Sequence, residues 1–150
     1  MKLLIMLLCF WAAALSAEDK KAQTPEQQTT AHIDELKQKI ARDPERDIAI
    51  NSAELVRELV EQFNIQMNAG ELQPAQRTLD DIGTYADKAR DGAKNKHHKL
   101  KQAELILHKS ARRLADIAQS LALENRPAIN AMVQRIEAAD DAILSQVFKD

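Results

Sequence analysis

The stretch LKQAELILHKSARRLADIAQSLALENRPAINAMVQRIEAADDAILSQV, residues 100–147, decides the fold. Leu100, Leu107, Leu114 and Leu121 recur every seven residues, and Ala103, Ala111, Ile117 and Ala118 fill the positions between them. A break follows at Glu124-Asn125-Arg126-Pro127, where Asn125 suits a cap and Pro127 suits a first helical turn. Ile129, Ile136 and Ile143 then repeat at the same interval, with Val133, Ala139 and Val147 beside them. Two seven-residue seams joined by a short turn predict an antiparallel helical hairpin.

The preceding chain follows the same pattern. Ile48, Ser52, Leu55, Leu59, Phe63 and Met67 alternate in steps of three and four, widened by Val56 and Val60. That spacing predicts a helix from the Asp43-Pro44 restart to about Asn68, ended by Gly70 in a left-handed cap. A further helix is expected from about Leu72 or Pro74 to Ala93, with a narrow stripe at Leu79, Ile82, Ala86, Ala89 and Ala93. Gly83 inside it costs about 1 kcal/mol relative to alanine, which points to close approach of a neighbouring helix. Ile33, Leu36 and Ile40 predict a short helix over residues 30–42. Alternating β-branched runs bounded by turn residues are missing. The expected fold is all-α: an antiparallel four-helix bundle over residues 30–150, with a short extra N-terminal helix.

Residues 1–17 read as an export signal. Met1-Lys2 is a short basic start, Leu3 to Leu15 is apolar, and Glu18-Asp19-Lys20-Lys21 is abruptly polar. The apolar run is short for a bilayer span, which needs about 20 residues. The expectation is a periplasmic or secreted bacterial protein with no stable transmembrane span once the signal is removed. Residues 18–29 are polar without periodicity and read as a flexible lead-in. Cleavage would remove the chain's single cysteine, Cys9, and its single tryptophan, Trp11. The remaining chain could form no disulfide and could use no thiol nucleophile or cysteine-based metal site. Its stability must then come from apolar packing.

Catalytic patterns are missing. Ser52, Ser110, Ser120 and Ser145 lie in helical stretches without a nucleophile elbow. The acidic pairs Asp80-Asp81 and Asp140-Asp141 diverge by about 100° around a helix, so a solvated face accounts for them. The expectation is a non-enzymatic protein without a cofactor. Nucleic-acid binding is disfavoured by export and by the scarcity of aromatic residues for base stacking.

Charge is the informative asymmetry. Residues 86–113 hold nine Lys and Arg against three Asp and Glu, whereas residues 18–85 hold eight against fourteen. Within the basic segment, Lys94, Lys96, His97, His98, Lys99 and Lys101 are the densest run and the candidate contact for an anionic surface. The leading functional expectation is an exported interaction module for a protein or an anionic envelope component. One alternative is a metal- or small-ligand-binding bundle using Glu104 and His108, four residues apart on one helix. Another is a self-associating homo-oligomer, because leucine heptads can also join separate chains.

Overall fold

A computed structural model describes residues 24–42, 45, 47–95 and 99–149. The expected export signal over residues 1–17, the start of the expected lead-in and the Asp43-Pro44 pair lie outside the described residues. Five helices pack against one another: α1 (Pro25–Arg42), α2 (Ile48–Asn68), α3 (Leu72–Ala93), α4 (Leu100–Ser120) and α5 (Arg126–Val147). Among the described residues there is no strand.

The first helix is neither short nor preceded by a lead-in over residues 25–29. It runs for 18 residues because Thr24 and Gln27 form a reciprocal cap. The Gln27 amide donates to Thr24 Oγ1 at 3.4 Å, and the Thr24 amide donates to Gln27 Oε1 at 3.1 Å. Pro25 occupies the first turn, where its missing N–H costs nothing. Thr30, where the expected helix began, lies inside the observed one, and its hydroxyl donates to the Glu26 carbonyl. Ile33, Leu36 and Ile40 are the buried face, as their spacing predicts.

The end of α2 follows its sequence signal. Gly70 has φ +75°. Its amide donates to the Met67 carbonyl at 3.1 Å, and the Glu71 amide donates to the Gln66 carbonyl at 2.9 Å. These two bonds satisfy carbonyls that the helix end leaves open. The turn between α4 and α5 has a different fastener. Asn125 holds the cap position but makes no side-chain cap bond. Instead Arg126 reaches back, donating to the carbonyls of Leu121 at 3.1 Å and Gln119 at 2.9 Å. A cation at a helix C-terminus meets both open carbonyls and the negative end of the dipole.

Consecutive helices α2/α3 and α4/α5 are antiparallel. Gln66 meets Thr78 near the first turn, while Gly92 meets Ile48 at the far end of that pair. The two hairpins lie side by side with like directions adjacent. Leu79, Gly83 and Asp87 of α3 face Ile129, Met132 and Arg135 of α5 in ascending order. That makes α3 and α5 parallel neighbours, and hence α2 and α4 parallel neighbours joined by the Arg113–Glu61 ion pair. Antiparallel order therefore holds within each hairpin and not between them.

The core runs the length of these helices. Leu55, Leu59, Ile82, Leu107, Leu114, Ile129, Ile136 and Ile143 are fully buried. Each such side chain contributes about 1.5–3 kcal/mol over its exposed state. The small-residue stripe of α3 lets neighbouring backbones come close. Gly92 is the tightest point, since a Cβ there would strike the Ile48 side chain and lie 3.1 Å from the Ala49 backbone nitrogen. The nearest atoms to a Cβ at Gly83 would be the far ends of the Arg135 and Met132 side chains.

The two glycines should respond differently to alanine. Gly92→Ala is expected to lose roughly 1–3 kcal/mol in denaturant melts, because helix starts cannot move aside cheaply. Gly83→Ala is expected to stay within about 1 kcal/mol of wild type, since helix propensity offsets the shift of flexible side chains. Equal losses at both positions would contradict this packing.

Candidate functional site

Two features at one end of the molecule carry unusual chemistry. The N-terminal half of α4 and the C-terminal half of α5 build the first, because the antiparallel pair brings residue 108 opposite residue 140, and the second runs from the end of α3 into α4.

The first is a buried carboxylate. Asp140 falls in the apolar stripe Val133, Ile136, Asp140, Ile143, so its side chain is only 8% exposed. Its Oδ2 lies 3.2 Å from Nδ1 of His108, which is about half exposed. With Asp140 ionised, the His108 N–H donates to it. Asp140 Oδ1 is buried without a hydrogen-bond partner among the described residues. Ser52 Oγ, near the start of α2, is in the same condition. Burial pushes the Asp140 carboxyl above its ordinary range; the His108 hydrogen bond opposes this, and the nearby charge of Glu104 adds to it. The expectation of a solvated Asp140-Asp141 pair is corrected here: Asp141 is exposed, and Asp140 is not.

Glu104 and His108 both lie on the α4 side of this seam, and His108 turns to Asp140. Among the described residues, no group of three or more His, Cys, Asp or Glu side chains comes together as a metal site. His32, far along the chain, pairs loosely with Glu35 on α1.

The second feature is the basic segment. Lys96, His97 and His98 lie outside the described residues. The rest divides into paired and unpaired cations. Arg90 binds Asp87 and Asp91, each at 3.2 Å, and Lys94 binds Asp91 at 2.8 Å. The hydrogen bonds from Lys94 and Arg90 hold the Asp91 carboxyl below its ordinary range. Arg135 of α5 joins the same network through Asp87. Lys88 lies over the Tyr85 ring at 4.8 Å, and Arg113 grips Glu61 with two hydrogen bonds. Lys99, Lys101, Lys109 and Arg112 are exposed, and no side-chain partner meets them among the described residues. Lys99 also holds φ +71°, a conformation that costs a non-glycine residue about 1–2 kcal/mol.

An open groove of about 500 Å³ lies elsewhere, between α1 and α3. Its Lys37 is bound to Asp81 at 3.0 Å, and its Lys88 is the cation already over Tyr85. Its charged lining is therefore engaged within the chain. No family model, curated protein or solved structure matches this chain.

The sign of the Asp140 effect on stability follows from the raised pKa. Folding favours the protonated acid, so this stabilisation is full below the ordinary carboxylate pKa and is lost as pH rises through the raised value. Asp140→Asn keeps the shape and removes the charge. It should raise Tm by a few degrees at neutral pH, with the difference shrinking as the solution is acidified. A lower Tm for the variant at neutral pH would show that the ionised carboxylate is a net stabiliser.

Proposed function

We propose that this chain is an exported, non-enzymatic interaction module that binds an anionic partner through the outer face of α4. In this reading α2 to α5 act as a four-helix bundle that holds α4 rigid, and α1 straps along α2. The partner is an anionic envelope component or an acidic protein surface.

One observation carries the proposal. Of the described basic residues from Lys88 to Arg113, Lys88, Arg90 and Lys94 are engaged with α3 itself, and Arg113 is engaged with α2. Lys99, Lys101, Lys109 and Arg112 are the ones left facing water. Three of them lie on α4 at spacings of eight and three, which places them along one side of the helix. Three cations on one rigid face, with Lys99 at the helix start beside them, attract an anionic partner and pay little ordering entropy on binding. In this reading Lys99 and Lys101 of the sequence candidate stay, Lys109 and Arg112 join them, Lys94 is set aside for its pairing with Asp91, and Lys96, His97 and His98 lie outside the described residues. The leucine seams that could have joined separate chains are occupied within the chain, since Leu107 and Leu114 pack into the core.

The test compares two variants of the exported form. In one, Lys99, Lys101, Lys109 and Arg112 become glutamine; in the other, Arg90 and Lys94 do. The first should lose retention on immobilised polyphosphate and on envelope fractions, with a much weaker salt dependence than wild type. The second should lose far less. Equal retention of wild type and the four-site variant across salt would overturn the proposal.

A further inference from the structure

The cationic face of α4 is bordered by exposed apolar side chains, and the register of α4 and α5 shows where. From His108, steps of three and four toward the start of α4 reach Leu105 and Lys101. From its partner Asp140, steps of four toward the end of α5 reach Leu144 and Phe148. The helices are antiparallel, so both rows run to the same end of the molecule. Leu105 is 48% exposed, Leu144 36% and Phe148 79%. Phe63 is buried and Tyr85 is packed against the core, so Phe148 is the aromatic ring among the described residues that is left in water. Lys99, Lys101 and Lys149 are exposed at this same end. Glu104 and Asp141 share it; Asp47 lies at the same end of the bundle, as do Asp87 and Asp91, which are paired with Arg90, Arg135 and Lys94.

We infer that this end of the α4–α5 hairpin docks on an anionic lipid bilayer, with Leu105, Leu144 and Phe148 entering the boundary between headgroups and acyl chains. The inference rests on the anionic-partner reading above and names the partner. A soluble polyanion would satisfy the lysines and leave the leucines and the phenylalanine in water. A bilayer of acidic lipids satisfies both, because the cations meet the headgroups while the apolar tips pass between them. No described helix is long and apolar enough to cross a membrane, so the contact is peripheral.

The test is co-sedimentation of the exported form with vesicles of phosphatidylcholine, alone or mixed with phosphatidylglycerol. Wild type should partition onto the mixed vesicles and not onto phosphatidylcholine alone. Leu105→Ser with Phe148→Ser alters two exposed positions, and a thermal melt checks that the variant is folded. It should weaken partition by at least about tenfold while leaving polyphosphate binding unchanged. Lys99→Gln with Lys101→Gln should weaken both, by roughly fivefold for each cation at the lipid surface. Wild-type partition by the serine variant, or no partition of wild type onto the mixed vesicles, overturns the lipid inference. If the cationic variants still lose polyphosphate in that case, the anionic-partner reading stands alone. If they bind it as wild type does, both fall.

Discussion

Everything in this structure depends on the burial of α2. It touches α1, α3 and α4, and its buried residues run from Ala49 to Phe63. The described chain contains no cysteine, so no covalent staple supplements the packing. Leu55, Val56, Leu59 and Val60 cover more than one face of α2, so a single helix can hold three neighbours. The close meeting of Gly92 with the Ile48–Ala49 turn sets where α3 lies, and the turn at Gly70 sets its direction. The α4–α5 hairpin is then positioned from two sides, by α2 against α4 and by α3 against α5.

That arrangement sorts the charges. A helix between neighbours can satisfy its cations at its own seams, as α3 does with Asp87 and Asp91 and as Arg113 does with Glu61. The outer side of α4 faces no helix, so its lysines and Arg112 meet water. The same geometry produces the Asp140 site. A carboxylate in the apolar stripe of α5 is drawn under α4, where His108 satisfies one oxygen and leaves the other bare. A buried polar group with one open acceptor lowers stability.

Much of this was legible in the sequence, and what was not has physical reasons. The seven-residue repeats located the α4–α5 hairpin, and Ile129, Ile136 and Ile143 are all buried. The Thr24–Gln27 cap was hidden because a polar first turn shows no apolar period, although the cap residues stand at the right spacing. Asp140 was misread from its neighbour Asp141. Its position between Ile136 and Ile143, in the same register as Val133 and Val147, was the signal that it would be buried. The internal pairing of the basic segment was also encoded, since Asp87 and Asp91 sit three residues before Arg90 and Lys94. The side-by-side placement of the two hairpins was not encoded locally. It depends on which small residues of α3 accept α5, and periodicity within one helix cannot report that.

We propose the α4–α5 end as the surface at which this molecule meets its partner. The described residues carry no cysteine, so a single introduced thiol can report on one position at a time. An environment-sensitive fluorophore attached at Leu105→Cys, and separately at Gln76→Cys on α3, would be followed as anionic vesicles or envelope fractions are added. Contact through the α4–α5 end predicts a blue shift and reduced quenching by aqueous iodide at position 105, with little change at position 76. A shift at position 76 with none at position 105 would place the contact on another face and contradict docking through the α4–α5 end.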